Sequence, residues 1–183
     1  MTVAVSLLRG INVGGRNKIR MADLRELYRG LGLSNVQSLL QSGNVLFEAA
    51  ATDLAGVGQE LEAAIRANFG LDIHIILRSS SEFHEIFSRH RFCDEQLLEP
   101  RKIAVVFLSD TADSAAVDQL RESNPGREIM QAVGRELYIF YTDGMARSKL
   151  DSSRIERALR VHSTARNWNT CKRISKLLAE YGA

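Results

Sequence analysis

Two apolar runs of strand length, Thr2 to Arg9 and Lys102 to Ser109, each open the same succession of hydrophobic periodicities, and this rhythm constrains the fold more than any other feature of the chain. After the first run, Met21, Leu24, Tyr28 and Leu31 repeat at helical spacing and stop at Gly32. Asn35 to Glu48 reads as two short β runs around Ser42-Gly43, a pair suited to a hairpin turn. Leu54, Val57, Leu61 and Ile65 form a second helical stripe between a cap at Asp53 and a terminating Gly70, and Asp72 to Arg78 is again strand-like. Ser80 is placed to cap a short helix carrying Phe83, Ile86 and Phe87, and Cys93 to Lys102 reads as a connector containing Pro100. The second cycle follows. Ala116, Val117 and Leu120 mark a helix, Glu128 to Thr142 a hairpin turning at Gly134-Arg135, and Asp151 to Val161 a helix with Ile155 and Leu159 on one face.

This order predicts an α+β protein of two tandem ferredoxin-like β-α-β-β-α units with antiparallel sheets, a compact duplicated architecture. The predicted division is a first unit over 1–92, a connector over 93–101, and a second unit with a C-terminal helix over 102–183. The halves share rhythm rather than residue identity. A chain of 183 residues, 45% hydrophobic, can bury roughly 70% of its unfolded surface without metal or disulfide staples. Cys93 and Cys171 lie far apart and form no CxxC pair, so free thiols in a reducing compartment, hence a cytoplasmic protein, are expected. No apolar run approaches the ~18 residues of a membrane span.

The topology also brings distant segments together. Strand direction places the first strand-to-helix loop, Gly10 to Lys18, at the same sheet end as the hairpin turn Gln41 to Asn44.

Charge selects the candidate sites. The net charge is only +2, yet Arg147 to Ala183 holds nine Lys or Arg against three Asp or Glu, and Arg9, Arg16, Lys18 and Arg20 occupy a stretch without any acid. Within the first segment, Arg9, Asn12, Gly14, Gly15 and Lys18 lie where glycine-rich loops offer backbone N–H groups to phosphates. Gly10 and Gly15 have P-loop spacing, but Arg16-Asn17 stands where Lys-Ser/Thr is needed, and this excludes a Walker A loop. Gln41, Ser42 and Asn44 offer amides and a hydroxyl at the hairpin tip. Arg147, Ser148 and Lys149 lead into a helix capped by Asp151 or a neighbouring Ser. Arg166, Asn167, Trp168 and Asn169 fall in a segment where Thr164 is placed to cap the last helix, with Arg166 and Asn167 in its first turn. Each group has a structural counter-reading: turn chemistry for Asn12 and Ser42, core anchoring for Trp168, backbone satisfaction for Asn167 and Asn169. His84, His90, Cys93 and Asp94 match no zinc spacing, so no metal is expected. The basic segments contain no evident general base, and no cofactor or catalytic residue can be assigned.

Leu8-Arg9-Gly10-Ile11-Asn12-Val13-Gly14-Gly15, Asn17-Lys18-Ile19, Gln41-Ser42-Gly43-Asn44-Val45, Arg147-Ser148-Lys149 and Thr164 to Thr170 together resemble the bacterial family known as domain of unknown function 1697. The resemblance runs nearly end to end. It implies a duplicated ferredoxin-like α+β fold and no activity. Three functional readings follow: binding of a phosphate-bearing ligand, nucleotide or nucleic acid, by these Gly, Asn, Arg and Lys loops; an enzyme that stabilises an anion electrostatically; or a structural role in which the polar residues cement the halves.

Overall fold

Both strand-length apolar runs become central strands, which is why they are apolar throughout rather than alternating. A computed structural model describes residues 1–50, 54–92, 94–97 and 99–181, so the Asp53 cap and Cys93 lie outside the described residues. The chain divides into two compact units, one formed by Met1–His84 with Ile174–Ala183 and the other by Glu85–Arg173.

In the first unit, β1 (Thr2–Leu8), α1 (Met21–Gly30), β2 (Ser34–Leu39), β3 (Asn44–Ala49), α2 (Leu54–Phe69) and β4 (Ile75–Ser79) follow in order. The sheet order is β2-β3-β1-β4 with every pairing antiparallel, the split β-α-β arrangement that the rhythm predicts. Ala4, Leu8, Val45 and Phe47 face Leu24, Tyr28, Val57, Leu61 and Ile65 of the two helices in one core. Tyr28 shares a 2.7 Å hydrogen bond with the Ser6 hydroxyl beneath it, and burial holds its phenol far above the ordinary pKa. Val5, Leu7 and Leu46, on the opposite face, are also fully buried.

The second unit repeats the plan. After α3 (Ser80–Arg89), α4 (Asp94–Leu97) and a 3-10 turn at Pro100–Lys102 come β5 (Ile103–Leu108), α5 (Ser114–Ser123), β6 (Ile129–Val133), β7 (Glu136–Phe140), α6 (Ser152–Leu159), β8 (Ser163–Asn167) and α7 (Trp168–Glu180), the division between the units falling within α3 and within α7. The segment expected to be a plain connector thus holds one short helix and a 3-10 turn. The antiparallel order β6-β7-β5-β8 matches the first sheet strand for strand. Ala104, Val106, Leu108, Leu137 and Ile139 pack with Val117, Leu120, Ile155 and Leu159.

The two halves also agree in register. Val5 pairs with Arg78 as Val105 pairs with Arg166, and each arginine is buried on its fourth strand. Each also donates from Nη1 to the carbonyl of the residue before it, at 2.8 Å. The next residue in each case caps a helix: Ser79 and Glu82 form a reciprocal capping box for α3, and Asn167 Oδ1 accepts from Thr170 N at 2.8 Å to cap α7. This corrects two expectations. The cap of α3 is Ser79 rather than Ser80, and α7 begins at Trp168, so Thr164 is no cap and Arg166 lies on a strand rather than in a helical first turn.

Candidate functional site

The loop after β1 is built from residues that tolerate left-handed backbone: Gly10, Asn12, Gly14, Gly15 and Asn17 all have positive φ, between 47° and 78°. Buried Ile11 and Ile19 pin its two ends, and the Asn12 side chain ties the middle. Its Nδ2 donates to the carbonyls of Ile19 and Gln41, both at 2.9 Å, while its Oδ1 accepts from Ile19 N at 3.0 Å. Asn17 Nδ2 donates to the Gly10 carbonyl at 3.2 Å, and Arg16 N to the Val13 carbonyl at 3.1 Å, closing a tight turn over Gly14-Gly15. The bond from Asn12 to Gln41 realises the predicted meeting of loop and hairpin. Fully buried Asn44 donates to the Leu39 carbonyl at 2.8 Å and to the Ser42 hydroxyl at 3.3 Å. Asn12, Ser42 and Asn44 therefore brace the loops. Gly14, Gly15, Arg16 and Lys18 are exposed at the tip, whereas Arg9 is half-buried at its base.

In the second unit, the exit of β7 and the entry to β6 lie at the same sheet end, as antiparallel pairing of Ile129 with Phe140 requires. Arg147, Ser148 and Lys149 consequently line a cleft of about 160 Å³ with Arg127, Glu128, Asp143 and the glycines Gly126 and Gly144. Ser148 donates from its hydroxyl to Glu128 Oε1 and accepts from Leu150 N at 3.0 Å, and Asn124 Nδ2 donates to Glu128 Oε2 at 2.7 Å. Both carboxylate oxygens are thus engaged, and the Arg147–Lys149 segment is fastened to the start of β6. Burial raises the Glu128 pKa, but the bonds from Ser148 and Asn124, with Arg154 nearby, outweigh it and hold the carboxyl below its ordinary value. Asp143 stands 3.9 Å from Arg127. Among the described residues, the Arg147 and Lys149 side chains have no carboxylate partner and both are exposed.

A depressed carboxyl pKa stabilises the fold above the unfolded value and loses that contribution as pH falls through the folded one. Melting curves should therefore show Glu128→Gln less stable than the parent near neutral pH, with the gap narrowing as pH drops below about 4.5. Parallel curves down to pH ~3 would contradict the anchoring role of Glu128.

Arg166, Asn167 and Trp168 are engaged inside their unit. Arg166 Nη1 donates to Thr164 Oγ1 at 2.8 Å, and burial pushes its guanidinium down to about 10. Trp168 is buried, with its ring edge-on to Phe87, His90 and Phe92 at centroid distances of 5.0, 5.2 and 6.0 Å. Asn169 is exposed on the first turn of α7. Cys171 is a buried free thiol that burial pushes up to about 12 despite the Arg166 cation. At pH ~8 it should resist iodoacetamide in the native protein and react fully in urea, read by peptide mass mapping. Native labelling at a free-thiol rate would contradict its burial. No group of three or more His, Cys, Asp or Glu able to hold a metal exists among the described residues, and none of their helices is long and apolar enough to cross a membrane.

The sequence reading missed Arg127 and Glu128. They precede β6 as Arg147 to Lys149 follow β7, so the strand directions already assigned could have placed them together.

A family model described as "Protein of unknown function (DUF1697)" matches residues 1–138. The chain belongs to this family. A likeness of fold extends past the matched residues: the conserved bacterial protein SP0830 from Streptococcus pneumoniae is 25% identical and superimposes with a TM-score of 0.74 over 97% of this chain and 98% of its own. No curated protein matches the sequence. The family brings no activity with it, so function must be argued from the side chains.

Proposed function

We propose that this protein binds a phosphate-bearing ligand, nucleotide or nucleic acid, in the cleft of the second unit where Arg127, Arg147 and Lys149 meet. The observation that carries the reading is the fastening of two exposed cations without carboxylate partners beside a cleft of about 160 Å³, through the Ser148–Glu128 bond. Cations held at a fixed spacing bind an anion with less ordering cost than free surface lysines. Gly144, with nothing within 4 Å of where a Cβ would stand, leaves backbone close to the space the anion would occupy.

The test is an equilibrium titration with pyrophosphate, ATP and a short mixed oligonucleotide at about 50 and about 200 mM salt. Saturable binding of pyrophosphate is the expected result. Failure of all three ligands at low salt would sink the reading.

A second reading, nucleic acid bound at the first unit by itself, is favoured by that unit's braced loop tip, which exposes Arg16 and Lys18. If that tip touches a phosphate backbone, Lys18→Ala lowers the salt slope of oligonucleotide binding by about one. An unchanged slope removes the tip from the interface.

A further inference from the structure

Lys149 lines two clefts. Besides the cationic cleft of about 160 Å³ it borders another of about 380 Å³, walled by Asp151, Arg154 and Arg157, which follow at three-residue spacing along one face of α6 and its cap. A side chain that lines both clefts makes them neighbours. A second link agrees: the charge of Arg154, in the larger cleft, acts on Glu128, in the smaller. The larger cleft alone exceeds the ~300 Å³ at which small-molecule sites begin.

Its charges await an anion from outside the protein. Asp151, the one acid among its described lining residues, is spent on capping, because its Oδ1 accepts from Arg154 N at 2.8 Å. The start of α6 is thereby satisfied, so the site rests on side-chain cations rather than on the helix dipole. That dipole accounts for Arg157 in the last turn but opposes Arg154 in the first. Arg154 is held there by donation from Nη2 to the carbonyl of Ser123, the last residue of α5. A guanidinium has five donors, and among the described residues the others of Arg154 have no partner. Arg157 is exposed and, among the described residues, has no carboxylate partner.

We infer that the ligand is a chain of three or more joined phosphates, from a nucleoside triphosphate or from inorganic polyphosphate. It lies across Lys149, with one end at Arg127 and Arg147 and the other at Arg154 and Arg157. This rests on the phosphate-binding reading above and narrows it. Pyrophosphate is held by the smaller cleft, whereas a longer chain engages both sets of cations and gains a charge-assisted bond at each.

A single-stranded nucleic acid is the rival occupant. Such a strand is held by a groove that tracks its separated phosphates and by aromatic rings on which its bases stack. No aromatic side chain lines either cleft among the described residues, and the cations gather about one lysine. The same linings offer no ring to a free base, so the phosphate chain and not the base sets the affinity.

The experiment titrates the full chain at fixed salt with pyrophosphate, tripolyphosphate, ATP, GTP and a pentanucleotide, read by calorimetry, with melting temperature as the folding control. Tripolyphosphate should bind about tenfold tighter than pyrophosphate or better, and ATP and GTP should differ by less than about threefold. Arg157→Ala, at an exposed position outside the smaller cleft, should remove the tripolyphosphate advantage while pyrophosphate affinity stays as in the parent. Arg157→Lys should keep most of that advantage, and Lys172→Ala, outside both clefts, should leave it intact. Tripolyphosphate no tighter than pyrophosphate, or an advantage that survives Arg157→Ala, overturns the inference and leaves the phosphate cleft standing. Failure of every phosphate ligand overturns both. ATP within about threefold of tripolyphosphate assigns the chain to a nucleotide, and weaker ATP assigns it to inorganic polyphosphate. Either result supports the inference, whereas a pentanucleotide that matches tripolyphosphate contradicts it, because separated phosphates would then serve as well as joined ones.

Discussion

Arg147→Ala combined with Lys149→Ala is expected to weaken pyrophosphate binding by about 100-fold or more. Each charge-assisted contact to a phosphate oxygen is worth about 1.5–3 kcal/mol, and about 1.4 kcal/mol is a factor of ten. The double variant should still melt close to the parent, because both side chains are exposed and exposed substitutions shift stability by only about 0.5 kcal/mol. Lys172→Ala makes the same change in charge as Lys149→Ala alone, at an exposed position of α7 outside the cleft lining. It should alter affinity less than about twofold if the cleft rather than the overall field of the protein holds the anion. Similar losses in Lys172→Ala and Lys149→Ala would mean that bulk charge does the binding. The comparison is read by calorimetry at fixed salt, with melting temperature as the folding control.

Gly43→Ala is expected to be the most damaging small substitution in the first unit. Gly43 has φ +74°, and a Cβ there would stand 2.8 Å from Leu8 Cβ and 2.8 Å from Ile11 Cγ1. Left-handed backbone costs an L-residue about 1–2 kcal/mol, and forcing an extra carbon into a filled core about 1–3 kcal/mol more. The Gly43 carbonyl also accepts from Leu8 N at 2.8 Å, so relief by backbone movement would strain the end of β1. A loss of about 3 kcal/mol follows, a large part of the stability of a small domain. Gly14→Ala is the control: φ is +59°, but nothing lies within 4 Å of the added carbon, so only the backbone cost of about 1 kcal/mol remains. Urea unfolding of the two variants measures the difference, and equal losses would contradict the close packing of the turn against Ile11.

The sequence carried the fold well where hydrophobic spacing carries the information. Thr2 to Arg9 and Lys102 to Ser109 lack polar alternation because both faces of β1 and β5 are buried, and their continuous apolar runs were sufficient to mark them. The boundary between β8 and α7 was not legible. Thr164 and Arg166 occupy inward positions of β8 that apolar residues would ordinarily fill, so the alternation is present in the burial but hidden in the residue types. A buried arginine reads as a surface residue until its strand is known.

The sites divide along the same line. The meeting of Asn12 with Gln41 followed from strand direction alone, as did the closeness of the loop and the hairpin. That Asn12 and Asn44 spend their amides on loop carbonyls did not, because an asparagine that braces a turn and one that offers itself to a ligand look alike in sequence. Arg127 and Glu128 were passed over because an Arg-Glu pair beside Pro125-Gly126 has no signature of its own. Only the pairing of β6 with β7 gives it a place beside Arg147 and Lys149.

The most direct test of the phosphate cleft is a backbone amide NMR titration with pyrophosphate, which locates binding as well as detecting it. Saturable shifts concentrated at Gly126, Arg127, Gly144, Ser148 and Lys149, and absent from the Arg147→Ala, Lys149→Ala double variant, are the result predicted here. Spectra that do not change with millimolar pyrophosphate at low salt, or shifts that saturate elsewhere and persist in the double variant, would contradict it.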